Sequence, residues 1–360
     1  MKQGLLVFTA AFCLGLIACS SSAQPQSQNV TRQVKGTRNL AILIFEGVQI
    51  IDYTGPYEVF GGVYVNGARA FNVYTVSEKT DAITTAMGMS VNPKYSFDNA
   101  PKPDVLLVPG GGGSQPGAPG VGGVLANPRM IKWVADNAKD AELVMSVCNG
   151  AFIIHKAGLL EGLTATTTAG LIDLLAETAT NTKVVRDKRF VDNGKVITAA
   201  GLSSGIDGAL HVVEKLFGRG QAQMSALGIE YNWDPDSKYA RAALADRYMR
   251  FVYDVKDATP VSREGTTDRW ENKWLVAGES ATEILGIVND SLANAKTYGP
   301  PMKVKWARQD GAEKDATKSL WKFTDENSKT WAGVASVQPV QGEKNKFLLS
   351  VKISRNDSGS

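Results

Sequence analysis

Histidine is nearly missing from this chain: there are two in 360 residues. His155 and His211 are therefore the sole candidates for an imidazole ligand or base. His155 falls about two helical turns beyond the cysteine nearest to it, and His211 sits beside the apolar stripe of its own helix. A Cys–His protease dyad and a histidine-based metal centre both lack support, and nothing in the chain asks for a metal or cofactor. Charge of one sign is lacking too. Lys and Arg number 39 against 36 Asp and Glu, a net +3. No basic run stands out, which removes the electrostatic case for nucleic acid. Long apolar runs are confined to one, Leu5–Ala18, shorter than the roughly 20 residues of a membrane-spanning helix.

Cysteine is almost as scarce as histidine, with three residues. Cys13 lies inside that apolar run, which follows Lys2 and reads as a signal over residues 1–18. Leu16-Ile17-Ala18-Cys19, followed by Ser20-Ser21-Ser22, resembles the lipobox of bacterial lipoproteins. The resemblance implies that Cys19 becomes the new N-terminus and carries acyl chains, and more than one chain anchors stably. Serine after the cysteine resembles the outer-membrane sorting pattern. The expected location is the bacterial cell envelope, on the outer membrane facing the periplasm. The alternative is an ordinary secretory signal with a chance cysteine. Cys148 is then alone in the mature chain, without a disulfide partner, in a compartment where a lone thiol is a liability.

What is abundant is glycine, 36 residues, about a tenth of the chain against a usual 7%. Much of the excess sits in turns and in the loop Gly110–Gly123. Residues 19–38 are polar and read as a tether. From residue 39 to about 256, apolar strands alternate with helices. Leu40–Phe45, Phe71–Val76, Val105–Val108, Leu143–Val147 and Val196–Ala199 read as strands. Tyr57–Val65, with Pro56 in its first turn, Asn127–Asn137, a stretch ending near Ala157, Ala169–Glu177 and the segment opened by Ser204-Gly205-Ile206-Asp207 read as helices. Ser204 and Asp207 have capping-box spacing. Ser237–Val255 reads as one more helix. Strands apolar throughout and separated by helices predict an α/β fold, a parallel sheet covered on both faces. Asp257–Thr267 is polar and reads as a boundary. Residues 268–355 form a small α+β module with a Ser280-x-x-Glu283 helix start and alternating strands that end in Phe347–Ile353. Trp270, Trp274, Trp321 and Trp331 read as its packing residues.

One stretch carries chemistry. Val144–Gly150 reads as a strand that stops at Cys148, with small residues, Ser146 and Gly150, two positions either side. That is the spacing of a nucleophile elbow with a thiol in place of a hydroxyl. Such a turn aims the thiol at a helix N-terminus, which favours thiolate. The bland alternative is a buried cysteine that fills space. The loop Gly110–Gly113 lacks the Gly-Lys-Ser/Thr ending of a phosphate loop, and it is a candidate to bring a backbone N–H to the thiol.

Four blocks extend this reading: "ILIFEGVQIIDYTGPYEVF" (42–60), "DVLLVPGGGG" (104–113), "SVCNGAFIIHKAGLLEGLTATTT" (146–168) and "ITAAGLSSGIDGALHVVEKLFG" (197–218). Together they resemble the ThiJ/PfpI superfamily, which is class I glutamine amidotransferase-like. They are most similar to its isonitrile hydratases and to the sensor halves of AraC-type regulators. The resemblance implies a flavodoxin-like sandwich, commonly dimeric. It puts the nucleophile on Cys148, the neighbouring acid on Asp52, and backbone donors on Gly111 and Asn149. Glu58, near Asp52, reads as a solvated helical residue. Two positions depart from the pattern: Asn149 stands where the hydratases have Thr, and Thr168 where many relatives have His. The expected function is addition of water to a small electrophilic carbon. The alternative is a ligand-binding or cysteine-based sensing protein. A transcription regulator is disfavoured, since the C-terminal module lacks the helices and a lipid-anchored chain meets no DNA.

Overall fold

The computed structural model describes residues 36–237, 239–250, 255, 257–294, 304–309 and 316–356. The signal and Cys19 readings, and the tether as far as residue 35, fall outside the described residues; Arg38, the last tether residue expected, is instead the buried first residue of the sheet's first strand. Gly36–Ser360 form one compact unit, built around two apolar cores.

The first core surrounds a seven-stranded sheet. Its strands are β1 (Arg38–Leu43), β2 (Phe71–Ser77), β3 (Tyr95–Ser96), β4 (Val105–Val108), β5 (Leu143–Val147), β6 (Phe190–Asp192) and β7 (Val196–Ala199). The order is β6-β7-β5-β4-β1-β2-β3. Every pairing is parallel except the edge pair β6–β7. Leu40–Leu43, Val105–Val108 and Leu143–Val147 are buried at each residue, so apolar side chains on both faces need helices on both faces. The helices are α1 (Ile50–Gly61), α2 (Val121–Leu125), α3 (Pro128–Asp140), α4 (Gly150–Lys156), α5 (Ile172–Thr178), α6 (Ser204–Phe217) and α7 (Arg219–Gly228). After β1 the chain builds β2 and β3 on one side, then crosses to β4 on the other. The order therefore reverses between β1 and β4, and the crevice beyond the carboxyl ends of such strands is where ligands bind in open α/β sheets.

Two details depart from expectation. Helix α1 starts at Ile50 instead of Tyr57, because Tyr53 is buried against the core and Thr54 Oγ1 donates back to the Ile50 carbonyl at 2.9 Å. Pro56 thus falls inside the helix, and its missing N–H leaves the carbonyl of Asp52 without its helical donor. Ser204 is the first residue of α6 and caps nothing. Asp207 instead meets Arg189 at 2.5 Å and accepts from the Tyr231 hydroxyl at 3.1 Å.

The second core lies under an antiparallel sheet. Its strands are β8 (Thr259–Gly265), β9 (Arg269–Ala277), β10 (Ala307–Arg308), β11 (Lys318–Thr324), β12 (Thr330–Pro339) and β13 (Lys346–Arg355), in the order β8-β9-β13-β12-β11-β10. Helix α8 (Ala281–Asn294) packs on it, started by Ser280, whose Oγ accepts the Glu283 N–H at 3.1 Å. Trp321 and Trp331 are buried in this core. Two sequence expectations fail here. The stretch read as a boundary is largely strand β8, an exposed edge whose backbone pairs with β9 although its side chains stay in water. Of the helix expected over 237–255, residues 238 and 251–254 lie outside the described residues, and the described part forms 3₁₀ turns at Arg241–Ala243 and Ala245–Tyr248. There the Ala245 N–H donates to the Thr266 carbonyl at 2.9 Å, so the backbone bonds outward to the module. Ala245, Tyr248 and Met249 belong to the second core.

Candidate functional site

Cys148 directly follows β5, and Asn149 leads into α4. Its φ is +57°, a left-handed conformation that costs a non-glycine residue of order 1–2 kcal/mol. The surroundings hold it there. Its N–H donates to the Ala200 carbonyl at 3.0 Å, and its carbonyl accepts from Thr167 Oγ1 at 2.7 Å. The flanking glycine of the elbow is needed for room: a Cβ on Gly150 would lie 2.3 Å from the Val108 carbonyl oxygen.

Asp52 comes from the first turn of α1 and is fully buried. Its Oδ2 accepts the Gly110 N–H at 3.2 Å and its Oδ1 the Leu202 N–H at 3.2 Å. The Cys148 thiol interacts with the same carboxyl. The structure thus brings Asp52 and Cys148 together at the reversal of strand order. Leu202, like Cys148, is left-handed, with φ +56°, which turns its N–H inward.

Burial pushes the Asp52 carboxyl up to about 6, against the lowering effect of the Gly110 N–H, the thiol and the Leu202 N–H. Burial, then the charge of Asp52, pushes the thiol up to about 12, opposed by the Asn149 N–H and the Thr168 hydroxyl. The expected thiol acidification does not hold in the resting pair. Two acids that touch in a dry site share one negative charge, and the carboxylate holds it.

The Asn149 backbone N–H faces the sulfur and lowers the thiol's titration. Its side chain acts elsewhere. Oδ1 accepts the Gly111 N–H at 2.7 Å, and Nδ2 donates to the Gly112 carbonyl at 3.1 Å and to Ser114 Oγ at 3.0 Å. The Gly111 N–H, expected to face an oxyanion, is engaged within the fold by an amide that a Thr would not supply. Thr168, where many relatives have His, turns its hydroxyl toward the thiol and lowers it. A Cβ on Gly201 would lie 2.6 Å from Thr168 Oγ1, so Gly201 keeps that contact open. Glu58 is exposed on α1. His155 is half-buried in the last turn of α4. His211 stacks on Phe190 at 4.5 Å and meets Asp192 at 2.9 Å. Among the described residues no group of three or more His, Cys, Asp or Glu is arranged to hold a metal. Gly110, Leu202 and Thr168 lay within the quoted blocks, but backbone donors and a single hydroxyl carry no residue-type signal.

A parallel α/β sheet with a left-handed cysteine turn against a buried carboxylate defines a class of cysteine-elbow α/β proteins. Residues 38–215 match the DJ-1/PfpI family, and the chain belongs to it. It is 33% identical over 192 residues to the isonitrile hydratase of Pseudomonas putida, covering 53% of this chain and 78% of that one. It is 23% identical over 207 residues to the HTH-type transcriptional regulator CdhR of Pseudomonas aeruginosa, covering 57% of this chain and 59% of the regulator. A solved ThiJ/PfpI family protein from Pseudomonas syringae is 27% identical and aligns with a TM-score of 0.49 over 60% of this chain and 85% of its own.

Proposed function

We propose that this protein is an isonitrile hydratase-like enzyme with Cys148 as nucleophile and Asp52 as acid and base. The observation that carries the reading is the Cys148 thiol beside a fully buried carboxyl that the Gly110 and Leu202 N–H groups hold in place. The similarity to an isonitrile hydratase supports the substrate class. As Asp52 accepts the thiol proton, the sulfur bonds to the terminal carbon of R–NC. Asp52 returns the proton to that carbon, giving a thioimidate, R–N=CH–S. Asp52 then takes a proton from water as the oxygen bonds to carbon and passes it to the imine nitrogen; it takes the remaining hydroxyl proton as the C–S bond breaks, R–NH–CHO leaves, and Asp52 returns that proton to the thiolate. One carboxyl serves both steps because its two protonation states alternate. Asp52→Asn should lower turnover on an isonitrile by about 10² to 10⁴ while ligand binding persists. Zero turnover by the reduced wild-type protein across a panel of isonitriles and nitriles sinks the assignment.

One observation favours a second reading, a ligand-binding or redox-sensing protein. The Gly111 N–H is engaged by Asn149, which leaves the Asn149 N–H as the backbone donor on the sulfur. The panel assay separates the two. We also propose a lipid anchor on Cys19 and a periplasm-facing location, supported by Leu16–Cys19, and a homodimer, supported by the family resemblance. Cys19→Ser should move the protein out of the membrane fraction or leave it unprocessed. Normal processing and fractionation of that variant removes the anchor.

A further inference from the structure

The C-terminal module has a cavity of its own, of about 210 Å³. Strand β9 builds one side of it. Trp270, Asn272, Trp274 and Val276 alternate with period two and so share a face. Val276 is buried in the core, whereas the two indoles are half-buried, and both line the cavity with Met249. Between the indoles stands Asn272, whose Oδ1 accepts the Trp270 Nε1–H at 2.9 Å. That bond fixes the amide with its two N–H donors still to use. Directly across the hairpin from Asn272 is Arg263, which also lines the cavity and is exposed. No carboxylate among the described residues pairs with Arg263. The carboxylate of the lining, Asp246, is held by Arg241, Nη1 to Oδ1 at 2.9 Å.

We propose that this cavity binds a small planar carboxylate, with its ring against Trp270 and Trp274 and its charge on Arg263 and the Asn272 amide. Indole faces alone would equally suit a cation. The arginine excess decides against one, because like charges facing each other in a half-dry site repel. A guanidinium beside an amide donor is suited to a two-oxygen anion. The volume is below the 300–1,000 Å³ usual for drug-sized ligands, which limits the occupant to about one ring with a short acidic arm. The site owes nothing to Cys148, so it stands or falls apart from the proposed catalysis.

Benzoate and indole-3-carboxylate, with benzamidine as the cationic counterpart, are the probes, titrated into the full chain and read by ligand-observed NMR and calorimetry. Saturable binding of at least one carboxylate is expected, with benzamidine at least tenfold weaker. Arg263→Gln, on an exposed edge strand where the fold tolerates it, should weaken carboxylate binding about tenfold or more. Trp274→Leu should do the same, and Cys148→Ala should leave it unchanged. No binding by either carboxylate, equal binding of benzamidine, indifference to Arg263→Gln, or loss on Cys148→Ala each overturns the proposal.

Discussion

The side-chain oxygen of Asn149 accepts the backbone N–H of Gly111 at 2.7 Å, tying the glycine loop after β4 to the residue after Cys148. Asn149 is almost fully buried, and its amide also holds Gly112 and Ser114. Asn149→Ala would strand the Gly111 N–H in a dry site. A buried polar group left unpaired costs about 1–3 kcal/mol, so the variant should be destabilised by roughly that amount, measured by denaturant unfolding. Asn149→Thr should release the same N–H toward bound substrate. If the hydratase reading is right, its turnover on an isonitrile should exceed that of the wild type by about tenfold, since one oxyanion donor is worth about 10²–10³ in kcat.

The thiol titration follows from the carboxylate beside it. Burial and the Asp52 charge both raise the thiol. Asp52→Asn removes the charge and keeps the burial. The inflection in iodoacetamide alkylation rate against pH should lie well above the free-cysteine value of about 8.5 in the wild type and move down in the variant. A variant inflection equal to or above that of the wild type contradicts the shared-charge account.

Asp52 also sets a pH dependence of stability. Its folded carboxyl titrates near 6, above its ordinary value of 3.8. Between those values the folded state binds more proton than the unfolded state, so stability falls as pH rises. Below about 4 neither state is penalised. The stability of wild type relative to Asp52→Asn should therefore decline from pH 4 to pH 6 and level off above about 7. Paired unfolding curves at those pH values test this.

Close approach makes the glycines of the site intolerant of change. A Cβ on Gly110 would lie 2.2 Å from Asn149 Oδ1, and one on Gly150 would lie 2.3 Å from the Val108 carbonyl. The first neighbour is a side chain, with the Asn149 backbone nitrogen behind it at 2.8 Å; around Gly150 all the close neighbours are backbone. Gly150→Ala should thus cost more stability than Gly110→Ala, while Gly110→Ala should disturb the Asn149 ties first. Comparing melting temperatures with thiol alkylation rates in the two variants separates these effects.

Much of this arrangement was legible before any coordinates. Strands such as Val105–Val108 and Leu143–Val147 are apolar runs that only a two-sided sheet can bury, and Cys148 between Ser146 and Gly150 marks its own turn. Asp52 was legible only through its sequence block, because a lone carboxylate before a proline has many ordinary uses. The engaged Gly111 N–H was not legible: Asn149 reads as one more turn residue until its amide is seen among three partners. Strand β8 was hidden because an edge strand draws its order from backbone pairing, which leaves its side chains polar. The stretch after Trp233 misled for a related reason. Ala245, Tyr248 and Met249 have helical spacing, but the Ala245 N–H bonds out to Thr266 and the rest closes only 3₁₀ turns.

The left-handed backbone at Cys148 has a bearing on descent. Glycine adopts that conformation without steric cost, so the position would be more comfortable without any side chain. A lineage that no longer needed the sulfur should drift toward glycine there and grow more stable as it did so. Divergent copies with Gly at this turn are then best read as retired sites, and a cysteine retained against that gradient signals continued use of the thiol.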